Sequence, residues 1–208
     1  MKNEIIKNNS NVPSASTPRE ITVGNKSTYI ENLNELHYTE KTYNISTTVN
    51  GNIITSNIHP DNSRYNLFVL EGEEFAKGYF IIPREKCLLH LDKEIESEYS
   101  LVESISLLKC LEYPCLFVNR NETYKTAGNN QIAYFGYLAE ISMTTDGCKF
   151  IFSIVCSLPQ SIFNRYTSDF NLKKSRGENE LDCIHWSIKK KNLIKAVKKL
   201  GYNVAAYE

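Results

Sequence analysis

The sequence predicts an α+β fold, a largely antiparallel sheet built on two β-hairpins with helices packed mainly on one face. Three observations predict it. Two turn signals, Asn50-Gly51 and Asp146-Gly147, each lie between runs that alternate in polarity, and such pairs tolerate the positive φ of a tight hairpin turn. RYNLFVL at 64–70 and KGYFIIP at 77–83 are short β-branched and aromatic runs of strand length. Helical spacing of apolar residues appears only near 100–112, 159–170 and 188–200.

Residues 1–35 are polar, carry Pro13, Pro18 and a Ser/Thr cluster, and lack an apolar period. They read as a flexible N-terminal tail with a short strand near Thr28–Ile30, ahead of a single domain over 36–208. TYNISTTVNGNIITSNIHP then reads as a hairpin with Thr47 opposite Ile54 and Tyr43 opposite Ile58, polar enough for a solvated sheet edge. RYNLFVL and KGYFIIP follow as strands joined by the acidic turn EGEEFA. Ser100 with Glu103 is a capping box, and Leu101, Ile105 and Leu108 continue a helix over 100–112. Cys115–Val118 reads as a buried strand and 119–130 as a polar loop.

The central hairpin covers 131–159. With Asp146-Gly147 as a type I′ turn, Met143 faces Phe150, Ile141 faces Phe152, Tyr137 faces Cys156 and Phe135 faces Leu158, all on one apolar face. Pro159 sits at a first helical position, and Ile162, Phe163, Tyr166 and Phe170 keep helical spacing. Asp182–Ile188 reads as a strand and Ser187 as the cap of the last helix. That helix carries Leu193, Ile194, Val197 and Leu200 as its stripe and Gly201 as its stop. Tyr202–Tyr207 closes the chain as a strand, and parallel pairing is expected near the C-terminus.

With 24 basic and 24 acidic residues the chain is neutral, which argues against a wholly electrostatic polyanion binder. The charge is unevenly placed. Residues 71–103 hold nine acids against four bases, and 160–208 hold ten bases against five acids, so an anionic partner would meet the C-terminal third. No apolar run reaches the roughly 18–20 residues of a membrane span, and MKNEIIKNNSN has no signal-peptide core. A cytoplasmic protein with no membrane association is expected. The six cysteines lack the spacing of a disulfide scaffold and read as reduced, mostly buried thiols.

LDCIHW is the densest group of reactive types. Cys183 and His185 would share a strand face as nucleophile and base, although i and i+2 side chains stand about 7 Å apart. Glu140, the one acid on the second face of the central hairpin, joins Asp182, Cys183 and His185 as the candidate catalytic set. Cys87-x-x-His90 and Cys183-x-His185 are two half-sites for zinc, with no Cys-x-x-Cys pair between them, and no metal or cofactor is expected. No Asp or Glu is followed two positions later by Lys, so a restriction-type nuclease site is missing. AGNN at 127–130 lacks the spacing of a phosphate loop. Lys173, Lys174, Arg176, Lys189, Lys190, Lys191, Lys195, Lys198 and Lys199 supply cations for a nucleic acid or protein partner, with Tyr124, Tyr134 and Tyr166 available for stacking.

From about Tyr113 to Leu200, the runs YPCLFVNRNETY, QIAYFGYLAEI, SLPQSIFN and NELDCIHWSIKKKNLIKAV resemble a module of uncharacterised bacterial proteins from mobile elements and defence islands. The resemblance implies a role in conflict between bacteria and their mobile elements, and no particular reaction. The expected function is a non-enzymatic binding protein, a defence or counter-defence factor that docks on a protein or nucleic acid through its basic C-terminal region. A small hydrolase or nuclease-like enzyme is the alternative.

Overall fold

A computed structural model describes residues 60–99, 104–172, 178–202 and 204, together with the strand backbones at 20–23, 27–30, 43–49, 52–58 and 174–175. The chain divides into two compact units, Met1–Tyr38 and Thr39–Glu208. In the first, β1 (Glu20–Val23) pairs antiparallel with β2 (Ser27–Ile30). All other elements belong to the second.

Its centre is a six-stranded sheet made of β5 (Tyr65–Leu70), β6 (Tyr79–Ile82), β7 (Pro114–Asn119), β8 (Ile132–Met143), β9 (Cys148–Pro159) and β12 (His185–Lys189), in the order β12-β5-β7-β8-β9-β6. The sheet is mixed. Four of its pairings are antiparallel and one, β5 with β7, is parallel, so the parallel pair lies mid-sheet rather than near the C-terminus. Every residue of β5 is buried, as expected of a strand covered on both faces. That cover is why Leu67–Leu70 is a continuous apolar run instead of an alternating one.

Alternate residues of these strands feed two separate cores. Phe68, Phe80, Phe117, Phe150, Phe152 and Trp186 line one, joined by Ile95 and Tyr99 of α1 (Lys93–Tyr99) and Leu107 of α2 (Ser104–Lys109). Tyr65, Leu67, Leu116 and Phe135 line the other, beneath Ile162 and Phe163 of α3 (Ser161–Arg165) and Leu193, Ile194 and Val197 of α4 (Leu193–Lys199). Helices therefore cover both faces, not mainly one. In the aromatic core the sheet curls hard: Phe150 and Trp186 stand four strand places apart, about 19 Å in a flat sheet, yet their ring centroids are 4.9 Å apart. The segment 83–92 crosses between the two edge strands thus brought near, leaving β6 at Ile82 and donating from Leu89 N to the Trp186 carbonyl at 3.0 Å.

The central hairpin is in a different register from the expected one. Ile141 lies opposite Phe150 and Met143 opposite Cys148, two residues away from the type I′ arrangement. The Thr144 amide donates to the Gly147 carbonyl at 2.8 Å, so Thr145 and Asp146 form the tip. Gly147 serves a close approach instead: its φ is +146°, and a Cβ there would lie 2.1 Å from the Ile82 carbonyl oxygen. Register shifts at Ala139 and Val155 leave each of these residues unopposed. These bulges switch faces. Ile141 and Leu138 enter the aromatic core while Tyr137 and Phe135 enter the other, so one strand serves both instead of presenting a single apolar face.

The remaining elements adjust several expectations. β3 (Tyr43–Val49) pairs with β4 (Asn52–Ile58), Tyr43 opposite Ile58 and Thr47 opposite Ile54, but as a separate two-stranded sheet, and β10 (Lys174–Ser175) pairs with β11 (Glu178–Asn179) in another. The six-stranded sheet is thus built on one of the two hairpins. Pro159 ends β9 opposite Ile132 instead of opening a helix. Ser187 is buried inside β12, and the cap of α4 is Asn192, whose side-chain oxygen accepts from Lys195 N at 2.7 Å because the side chain reaches an otherwise orphaned amide. Gly201, at φ +85°, stands just past the helix end. The Ser100–Glu103 capping box and, apart from Tyr202 and Val204, the strand expected over Tyr202–Tyr207 lie outside the described residues.

Candidate functional site

β12 carries the buried ionisable groups. His185 and Lys189 share the strand face that meets the second core, and opposite them Glu180 enters from a short 3-10 turn, Glu180–Asp182. The Glu180 carboxylate accepts from His185 Nε2 at 3.0 Å and pairs through the same oxygen with Lys189 Nζ. His185 Nδ1 faces the Cys183 carbonyl at 2.8 Å, and Lys189 Nζ also donates to the His90 carbonyl at 3.2 Å. Burial pushes the Glu180 carboxyl up, but the His185 hydrogen bond and the Lys189 charge outweigh it and hold the group below the usual carboxylate range. These groups neutralise one another, away from solvent.

Lys189 is therefore not a surface cation for a partner. It is 1% exposed and serves the buried pair. Cys183 and His185 do not share a strand face either, since Cys183 precedes β12 and is exposed. Glu140 sits on β8 opposite Ile151, three places from β12 in the strand order. Asp182 is held elsewhere: it accepts from Asn121 Nδ2 at 2.6 Å, from Lys125 N at 3.0 Å and from Asn179 N at 3.3 Å. The candidate catalytic set is not assembled.

The two proposed half-sites for metal meet only through their histidines, whose rings lie 4.8 Å apart centre to centre. Both His185 nitrogens are engaged, and the Cys87 thiol lies against the Ile82 and Pro83 carbonyls. Among the described residues no group of three or more His, Cys, Asp and Glu side chains is placed to hold a metal ion.

A carboxamide network occupies the C-terminal end of the parallel β5–β7 pair. Asn121 and Asn164 exchange hydrogen bonds at 2.9 and 3.0 Å, Asn179 donates to Asn164 at 2.7 Å, and Gln160 Nε2 donates to the Asn119 carbonyl at 2.7 Å. Asn121, Gln160 and Asn179 are buried, so each bond replaces one to water and fixes a loop. Sequence reasoning missed this network, because its members come from three segments, 119–121, 160–164 and 179, that no local spacing links to one another.

The basic surface is what stays open to solvent. Lys195, Lys198 and Lys199 are exposed on α4, opposite its buried stripe of Leu193, Ile194, Ala196 and Val197. Two lysines of the group already meet acids, Lys190 with Glu94 and Lys199 with Asp169 at 3.1 Å. Lys191 is half-buried. Lys173 and Arg176 lie outside the described residues, as does the side chain of Lys174. Of the three tyrosines, Tyr124 is 63% exposed with Lys125 Nζ 4.8 Å above its ring, Tyr166 is exposed, and Tyr134 packs on Phe75. No described helix is long and apolar enough to cross a membrane. Compared with family models, curated proteins and solved structures, the chain matches none.

Proposed function

We propose that this is a non-enzymatic binding protein that docks on a nucleic acid through the outward face of α4, as a factor in conflict between bacteria and their mobile elements. The observation that carries the binding reading is a division of labour among the charged groups. Asp182 and His185 of the LDCIHW region are engaged by internal partners, while Lys195, Lys198 and Lys199 are exposed cations on one turn of helix, Lys199 beside Asp169. Lysines so placed displace counterions from phosphates, giving affinity that is independent of sequence and falls with salt. Tyr124 beside Lys125 offers a base a flat, cation-backed face.

A salt series with labelled duplex DNA, single-stranded DNA and single-stranded RNA tests this reading. Three phosphate contacts predict that log K falls with log salt at a slope of about −2 to −3. Absence of binding to all three at low salt removes the nucleic-acid partner. Recovery of one host protein in stoichiometric amount from a native pull-down, with no nucleic acid, would replace it with a protein partner.

A further inference from the structure

The segment 83–92 bridges the two edge strands, and one end of it rests on a pair of cysteines. Cys87 Sγ lies 3.7 Å from the Ile82 carbonyl oxygen and 3.5 Å from that of Pro83. Ile82 is the cross-strand partner of Cys148, and Cys87 packs against the same aromatic core that Cys148 enters, so the two thiols lie at one rung, each the leading influence on the acidity of the other. Cys148 Sγ also lies 3.3 Å from the sulfur of Met143, which is exposed. Across 83–92, the far end is tied down separately by Leu89 on the Trp186 carbonyl and by Lys189 on the His90 carbonyl.

We propose that Cys87 and Cys148 are a reversible redox pair, closed by a hydroperoxide into a disulfide that staples the bridging segment to the tip of the central hairpin. The pair is polarised. The Cys87 hydrogen bond is the leading effect that lowers the Cys148 thiol, helped by the nearby Arg84, while the same bond and burial raise the Cys87 thiol. With its thiol lowered and lying against exposed Met143, buried Cys148 is the nucleophile and half-buried Cys87 the resolving thiol.

With hydrogen peroxide the Cys148 thiolate attacks one oxygen. An S–O bond forms, the O–O bond breaks, and the departing hydroxide takes the thiol proton to become water. Cys87 sulfur then attacks the sulfenic sulfur of Cys148, forming the S–S bond and breaking S–O, and the released hydroxide leaves as a second water with the Cys87 proton. Two thiols lose two electrons and one peroxide gains them. Hydrogen peroxide is close to water in size, and half-buried Cys87 and exposed Met143, which lies against Cys148, mark its route in.

The test treats the full chain with hydrogen peroxide, alkylates remaining thiols in denaturant and maps the peptides. The expected product is one crosslink joining the Cys87 and Cys148 peptides, reversed by dithiothreitol, with Cys110 and Cys115, whose thiols burial pushes up, still alkylated. In Cys87→Ser the sulfenic acid at Cys148 should persist and be trapped by dimedone. Amide exchange over 83–92 in the oxidised wild type should slow by about tenfold or more, consistent with the loss of local opening. Oxidation confined to Cys156 and Cys183, with Cys87 and Cys148 alkylated as fully as Cys110, would overturn the proposal without touching the nucleic-acid reading.

Discussion

Nε2 of His185 lies 3.0 Å from Oε1 of Glu180, with both side chains all but withdrawn from water. Lys189 joins the same oxygen, and the other ring nitrogen of His185 faces the Cys183 carbonyl. Both ring nitrogens of His185 are therefore engaged, which fixes the ring between the turn and the chain entering β12. The arrangement rivets the edge strand β12 to the turn at 180–182. Its worth lies in completeness, since a buried charge that loses its partner is costly whatever the intact pair contributed.

Glu180→Gln should destabilise the protein by about 3–5 kcal/mol, because the buried Lys189 charge loses the Glu180 carboxylate. Urea denaturation measures it. The pH dependence follows from the carboxyl being held below its unfolded value of about 4.3. A depressed carboxyl contributes stability above the unfolded value and loses it as pH falls through the folded one. The wild type should therefore lose its advantage over Glu180→Gln on acidification below about pH 4. Parallel stability curves for the two would contradict the buried pair.

Phe68 sets the curl of the sheet. It stacks on Phe117 at 5.3 Å and on Trp186 at 5.9 Å, and meets Phe80 and Phe150 edge-on at 5.1 and 4.9 Å. Phe68→Ala should cost about 3–5 kcal/mol through lost contact and a cavity, and tryptophan fluorescence should report a loosened Trp186 environment. A thermal shift below about 2 °C would mean that the aromatic core is not packed this way.

Two glycines with positive φ separate space from strain. At Gly72, with φ +63°, an added Cβ meets nothing within 4 Å, so Gly72→Ala should cost only about 1 kcal/mol of backbone strain. At Gly147 the Cβ would run into the Ile82 backbone, and Gly147→Ala should cost about 1–3 kcal/mol from crowding in addition to strain. Equal effects in thermal melts would remove the close approach between hairpin tip and β6.

Asn121→Ala should cost about 1–3 kcal/mol, because Gln160, Asn164 and Asp182 each lose a hydrogen bond to the buried Asn121 side chain. Hydrogen exchange should rise in 121–131 and 179–182, the segments the network ties together. A rise confined to residues next to 121 would show that the network does not couple them.

What was legible in the chain was local. Strand-length runs at 64–70 and 77–83, and the helix stripe at Leu193, Ile194 and Val197, reflect side-chain periods that near neighbours alone determine. The register of the central hairpin was not legible. Asp146-Gly147 satisfies a tight turn by itself, but Gly147 answers to the Ile82 backbone more than sixty residues earlier in the chain, and bulges at Ala139 and Val155 let one strand serve two cores. Lys189 read as surface because a lysine is rarely buried, and its acid, Glu180, is on a separate turn. The carboxamide network was invisible for the same reason: contact between Asn121, Asn164 and Asn179 is a product of topology.

Charge reversal on α4 tests the binding account most directly. Lys195→Glu with Lys198→Glu changes two exposed side chains on the helix face away from the core and leaves the buried stripe untouched. Fluorescence anisotropy with labelled single-stranded DNA at low salt should show a loss of about tenfold or more relative to wild type, with a shallower salt slope and an unchanged melting temperature. Equal affinity and equal slope in a folded double variant would contradict a nucleic-acid interface on this helix.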